Sequence, residues 1–192
     1  MEIGVLALQG DFAEHLSILR KIGVSVREVR LPEQLDGLSG LIIPGGESTT
    51  IGKMAVDFNL IEPLKEFGKT KAIWGTCAGA IFLSKDTSRN QPLLNLMDMT
   101  VARNAFGRQI DSFEIDLDVS FLTPDLKDSA PYHAVFIRAP IIGSVFGQAE
   151  ALLKLPDDRI VAARQGRLLA TSFHPELTDD TRFHQYFLEL AK

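Results

Sequence analysis

The sequence predicts an α/β fold in a single domain, residues 1–192, built on a doubly wound, mostly parallel sheet. Three observations predict it. Short apolar runs alternate with amphipathic helical stripes from the first residue onward, the order that puts helices on both faces of an open sheet. Gln9-Gly10, Gly45-Gly46 and the corner at Cys77 each follow an apolar run, so three segments meet at the carboxyl rim, where such folds collect ligands. No stretch has the composition of a linker, and 192 residues suit one well-packed core rather than two.

The elements follow in order. Residues 3–8, Ile-Gly-Val-Leu-Ala-Leu, read as a buried strand stopped by Gln9-Gly10-Asp11. Phe12, Leu16, Leu19 and Ile22 then repeat with helical period, and Gly23 closes the helix. Residues 24–29 make a second strand. Residues 40–43 make a third, stopped by Pro44-Gly45-Gly46. Residues 48–67 are helical with a break near Asn59, and a strand at 72–74 runs into the corner at Cys77. The second half adds strands at 99–101, 113–119, 134–137, 151–155, 159–163 and 168–173. Phe113, Ile115, Leu117 and Val119 alternate with Glu114, Asp116 and Asp118, the pattern of a half-exposed strand. A last helix carries Phe183, Tyr186, Phe187 and Leu190, while the polar stretches 85–92 and 123–131 read as loops.

Composition excludes several roles. The net charge is −5 and no Lys/Arg cluster is interleaved with aromatics, which argues against a nucleic-acid partner. No run approaches the ~18 apolar residues that span a bilayer, so no membrane role is expected. His15, His133, His174, His184 and the one cysteine show no paired-ligand spacing, so no metal is expected. A lone cysteine forms no internal disulfide, and the opening Met1-Glu2-Ile3 lacks a basic segment and apolar core; the expected location is cytoplasmic.

Cys77 stands in Gly75-Thr76-Cys77-Ala78-Gly79, between a strand-like run and an apolar helix. That is the pattern of a nucleophile elbow, with sulfur in place of a serine oxygen. The helix behind it turns free N–H groups and a positive dipole end toward the thiol. An ordinary thiol, with pKa about 8.5, is only roughly 3% thiolate at neutral pH, so a base is needed. Residues two apart on an extended chain share a face, so His174 and Glu176 of His174-Pro175-Glu176 form a candidate base and its orienting carboxylate. A strand-end histidine that satisfies a loop carbonyl is the alternative. His15 and His184 lie on helices, where solvated or packing roles are commoner, and His133 has no acidic residue two positions away. Backbone N–H groups at Gly45-Gly46, with that of Ala78, could stabilise an oxyanion.

Taken together, these motifs resemble the class I (triad) glutamine amidotransferases, whose fold is flavodoxin-like. Finer features resemble one branch, the glutaminase subunit of pyridoxal 5′-phosphate synthase. They are Leu8-Gln9-Gly10, residues 30–35 (Arg-Leu-Pro-Glu-Gln-Leu), 103–109 (Arg-Asn-Ala-Phe-Gly-Arg-Gln), 136–140 (Phe-Ile-Arg-Ala-Pro) and 172–178 (Ser-Phe-His-Pro-Glu-Leu-Thr), whereas the turn 44–50 (Pro-Gly-Gly-Glu-Ser-Thr-Thr) belongs to the class-wide resemblance. The resemblance covers nearly the whole chain; it is weakest over 85–98 and 122–132 and at Ala102, where a charged residue is expected.

The resemblance implies hydrolysis of L-glutamine to L-glutamate and ammonia without a cofactor. The ammonia would pass to a (β/α)8-barrel synthase subunit that builds pyridoxal phosphate from a pentose phosphate and a triose phosphate. Cys77 would be the nucleophile, His174 and Glu176 its relay, and Gly46, Glu47, Ser48, Arg103, Ile137 and Arg138 the glutamine site. An arginine fork suits the α-carboxylate of glutamine, which makes Arg103 and Arg138 the candidates and Arg108 the runner-up. Gln9, beside the oxyanion turn, would switch that turn when the synthase docks. A free-standing γ-glutamyl hydrolase shares the triad logic and is the nearest alternative. A DJ-1/PfpI-like enzyme is another, although such sequences commonly carry a histidine after the cysteine, where this chain has Ala78.

Overall fold

The computed structural model describes residues 1–86, 90–102, 112–122 and 130–192. The chain runs β1 (Glu2–Leu6), α1 (Phe12–Lys21), β2 (Ser25–Val29), a 3-10 turn (Pro32–Leu35), β3 (Gly40–Ile43), α2 (Ser48–Asp57) and α3 (Ile61–Thr70). It continues through β4 (Ala72–Thr76), α4 (Ala78–Leu83), β5 (Met99–Ala102), β6 (Ser112–Leu117), β7 (Tyr132–Ile137) and β8 (Ile141–Val145). The last elements are β9 (Glu150–Lys154), β10 (Ile160–Gln165), β11 (Leu168–Thr171) and α5 (Arg182–Leu190).

Among the described residues the main sheet has the order β2-β1-β3-β4-β11-β10-β8-β5, with β9 on β10. The block β2-β1-β3-β4-β11 is parallel throughout. The added strands of the second half extend it antiparallel. The half-exposed strand β6 pairs instead with β7 in a separate two-stranded sheet. All residues of β3 and β4 are buried, as parallel strands covered on both faces must be.

The pleat divides the core in two. Leu41, Ile43 and Ile73 face one layer with Ile51 and Ala55 of α2, Leu64 of α3 and Phe82 of α4. Ile42 and Trp74 face the other, with Leu16 and Leu19 of α1, Phe183 and Phe187 of α5, and Tyr132 and Phe136 of β7. The parallel strands therefore point their carboxyl ends at one rim while both faces stay covered.

Several boundaries differ from expectation. The break near Asn59 is real, because that residue has φ 55 between α2 and α3. The last strand ends at Thr171, two residues early, and β6 ends at Leu117. The sequence reading had no strand at β8, where Gly143 and Ser144 dilute the apolar run, and no turn at Pro32–Leu35. There Gln34 Oε1 accepts from the backbone N–H groups of Arg30 (2.7 Å) and Leu31 (2.9 Å), a local lock that hydropathy does not register. Most of the expected 123–131 loop lies outside the described residues. No helix among the described residues is long and apolar enough to cross a membrane.

Phe183 joins the α5 face to both sheets: its ring lies 4.9 Å from Tyr132, 5.0 Å from Phe173 and 6.4 Å from Trp74, centre to centre. Truncating so large a buried ring leaves a cavity as well as losing transfer energy. Phe183→Ala is expected to destabilise the chain by about 3–5 kcal/mol, read from the urea midpoint.

Candidate active site

The parallel pairing of β4 with β11 sets Thr76 opposite Thr171, and the Cys77 N–H closes the ladder on Thr171 O at 2.8 Å. Cys77 then turns sharply, at φ 47 and ψ −104, and α4 starts at the next residue. That φ lies in the left-handed region, which a side chain occupies only when its surroundings enforce it. The flanking glycines let the corner close. A Cβ at Gly75 would sit 2.5 Å from the Gly79 carbonyl carbon, and one at Gly79 only 2.0 Å from Ile43 O. Cys77 is a free thiol, buried to 7% exposure.

The chain leaves β11 through Ser172 and Phe173 and brings His174 over the same rim, where its N–H donates to Val135 O on β7. His174 Nδ1 lies 2.7 Å from Glu176 Oε1, and both residues are 5% exposed. The pairing was expected from an extended His-Pro-Glu segment, but the chain instead turns there. Residues Pro175–Leu177 form a 3-10 turn with the proline at its start, where fixed φ and a missing N–H cost nothing. His174 is the residue that enters that turn, which is how it meets Glu176.

The other ring nitrogen, Nε2, is buried and makes no hydrogen bond of good geometry among the described residues. Burial opposes charging of this imidazole, yet the Cys77 thiol and then the Glu176 carboxylate outweigh it and raise His174 to about 10. Burial pushes the Glu176 carboxyl up, with the hydrogen bond from His174 the main pull the other way.

The oxyanion candidates sit beside this pair. Gly45 O accepts from the Asp11 N–H at 3.2 Å, and a Cβ at Gly45 would lie 2.7 Å from the His174 ring. Gly46 has φ +146, and Gln9 Oε1 accepts from the Glu47 N–H at 2.7 Å, so Gln9 does hold this turn. The Glu47 side chain caps α2, accepting from Thr49 N (3.1 Å), Thr50 N (2.7 Å) and Thr50 Oγ1 (2.8 Å). Slight burial works the other way, but the bonds from Thr50 and Thr49 lower its carboxyl to about 2.

A cavity of about 410 Å³ opens above the thiol. Gln9, Gly46, Glu47, Ser48, Cys77, Ala78, Ile137, Arg138 and His174 line it, and Glu176 lies behind His174. Arg138 has φ 46, a second non-glycine residue held in the left-handed region at this rim. Arg103 and Arg108 lie outside the described residues. Asp11, Ile81 and Pro140 also line the cavity and were missed. Asp11 follows Gln9-Gly10 directly, a signal that was available, and its Oδ2 is 3.6 Å from His174 Nδ1. Asp11, His174 and Glu176 are a compact ligand-type group that sequence spacing did not suggest.

The remaining histidines lie away from the cavity, His15 and His184 in the packing role expected of helix residues. His133 is exposed, but finds Asp116 (2.9 Å) and Glu114 (3.0 Å) on the facing strand β6 rather than along its own. His15 and His184 are fully buried and bonded to each other.

An elbow cysteine, a histidine and a carboxylate thus meet at the carboxyl rim of a doubly wound sheet. The SNO glutamine amidotransferase family matches residues 5–192, and the chain belongs to that family. Pyridoxal 5′-phosphate synthase subunit PdxT of Herpetosiphon aurantiacus is 57% identical over 195 residues, covering 99% of this chain and 100% of its own length. The protein of the same name from Moorella thermoacetica is 53% identical over 192 residues, covering 99% of both. A crystal structure described as a glutamine amidotransferase superposes with TM-score 0.90 at 49% identity and 98% coverage of both chains. PurLQS from Thermotoga maritima shares the fold alone, with TM-score 0.70 at 15% identity over 100% of this chain and 98% of that one.

Burial holds His184 down to about 3, and burial, followed by the nearby His184 and His174, holds His15 well below 6.5. The folded chain therefore refuses protons that the unfolded chain accepts once pH falls through 6.5. The contribution of this buried pair to stability is expected to be full above that pH and to decline below it. His184→Gln, which keeps a donor and does not titrate, should lose less between pH 8 and 5 when urea midpoints are compared.

Proposed function

We propose that this chain is the glutaminase subunit of a pyridoxal 5′-phosphate synthase. In this role it hydrolyses L-glutamine in the cytoplasm and hands ammonia to a (β/α)8-barrel synthase subunit. One observation carries the chemistry: His174 lines the same cavity as Cys77, and its Nδ1 lies 2.7 Å from Glu176 Oε1 behind it. Full-length similarity to proteins named PdxT supports the assembly.

The steps follow from that geometry. The thiol proton passes to His174 Nε2, and the sulfur attacks the side-chain amide carbon of glutamine. Negative charge then develops on the amide oxygen, facing the N–H groups of Gly46 and Ala78. His174 returns its proton to the amide nitrogen, the C–N bond breaks, and ammonia leaves a γ-glutamyl thioester on Cys77. Water adds to the thioester as His174 takes its proton. The C–S bond breaks, glutamate departs, and the proton goes back to sulfur. Arg138, with Arg103, binds the α-carboxylate, while Ser48 and Ile137 shape the remaining walls.

Cys77→Ala, mixed with the cognate barrel subunit, is expected to release no ammonia and to escape labelling by a glutamine-mimicking electrophile. Turnover persisting in that variant would refute the assignment. Wild type should be far less active alone than with the barrel subunit, because the Gln9–Glu47 contact holds the oxyanion turn in its resting form. Gln9→Ala should change the fold-activation by the partner; an unchanged ratio would make Gln9 a turn residue only.

A further inference from the structure

Behind the triad lies a second array of buried polar groups. His15 Nδ1 and His184 Nε2 are 3.0 Å apart, and His15 Nε2 is 3.3 Å from Thr76 Oγ1 and 3.4 Å from Glu176 Oε2. His15 and His184 have no solvent exposure. Glu176 uses Oε1 for His174; its Oε2 is buried without a hydrogen bond of good geometry, and so is His184 Nδ1.

The orphaned nitrogen decides where the protons sit. A buried N–H without a partner is rarer and costlier than a buried lone pair, so His184 carries its proton on Nε2. That N–H donates to His15 Nδ1, which leaves the His15 proton on Nε2, donated to Thr76 Oγ1 with Glu176 Oε2 beside it. Both rings are neutral, since burial holds each below its usual range. The groups facing His15 are His184 from α5, Glu176 and His174 from the segment after β11, and the uncharged Thr76 and Trp74 from β4.

We propose that His15, oriented by His184, is a positioning residue for the glutaminase reaction: its Nε2–H, bonded to Thr76 Oγ1, lies 3.4 Å from the second carboxylate oxygen of Glu176 and supports the charge there. Glu176 thereby has an imidazole on each side, bonded to His174 through one oxygen and faced by the His15 N–H dipole at the other. Without that dipole the buried carboxylate takes a proton more readily and serves His174 less well. This inference rests on the function proposed above.

The test uses the complex with the barrel subunit and follows ammonia release against pH. His15→Phe is expected to lower kcat about tenfold or more and leave the KM for glutamine within about twofold. It should also move the acid limb of the profile to higher pH. His15→Gln, which keeps an N–H at similar reach, should restore both kcat and the limb. The proposal is overturned if His15→Phe keeps wild-type kcat and profile, or if His15→Gln falls as far as His15→Phe. Should His15→Phe fail to fold, nitrogen-15 NMR of wild-type histidines decides the matter. His15 should be a neutral Nε2–H tautomer that does not titrate between about pH 6 and 9, and an Nδ1–H tautomer or a titrating ring would overturn the proposal. A wild-type complex that releases no ammonia refutes the proposed function instead, so the two failures are distinct.

Discussion

The pairing of β4 with β11 is the constraint on which the site depends. Cys77 and His174 are almost a hundred residues apart, and only the parallel ladder from Ile73↔Leu168 to Thr76↔Thr171 brings their elements into register. A slip of one residue would send every side chain of β11 to the opposite face. The register is defended from both sides of the sheet, because Leu168 and Ala170 are packed in one core layer and Leu169 in the other. The hydrogen bond from Trp74 Nε1 to Thr171 Oγ1, 3.1 Å, ties the same two strands through their side chains. Core packing and catalytic geometry are thus one specification.

Glu176 sets the second demand. It has no lysine or arginine partner among the described residues, and a buried carboxylate without one is costly. Its compensation comes from imidazoles. His174 contributes a charge-bearing partner at 2.7 Å, and His15 Nε2 lies 3.4 Å from the other oxygen. In the reaction proposed above His174 both accepts and releases a proton during one turnover, which an imidazole partner suits.

Much of this was legible in the sequence because the signals are local. The elbow shows itself in Gly75 and Gly79, whose missing β-carbons the tight corner requires, and the parallel strands show themselves as uninterrupted apolar runs. What escaped was non-local or cancelled in the pattern. His133 has acidic neighbours only because β6 pairs with β7 in one register, and His15 meets His184 across 169 residues. Strand β8 carries Gly143 and Ser144 in an apolar run, and its place between β10 and β5 is set by pairing rather than by its own residues. The His-Pro-Glu segment gave the right partners through the wrong local shape, since a 3-10 turn and an extended chain can both bring positions two apart together.

The bent backbone at Cys77 has a cost that outlives the chemistry. A non-glycine residue at φ 47 burdens the native state by roughly 1–3 kcal/mol, held there by the ladder on one side and α4 on the other. Glycine at that point would relax the bend, so a chemically dead chain could be the sturdier one. Under the function proposed above, that bend is a place where the backbone yields comfort to chemistry.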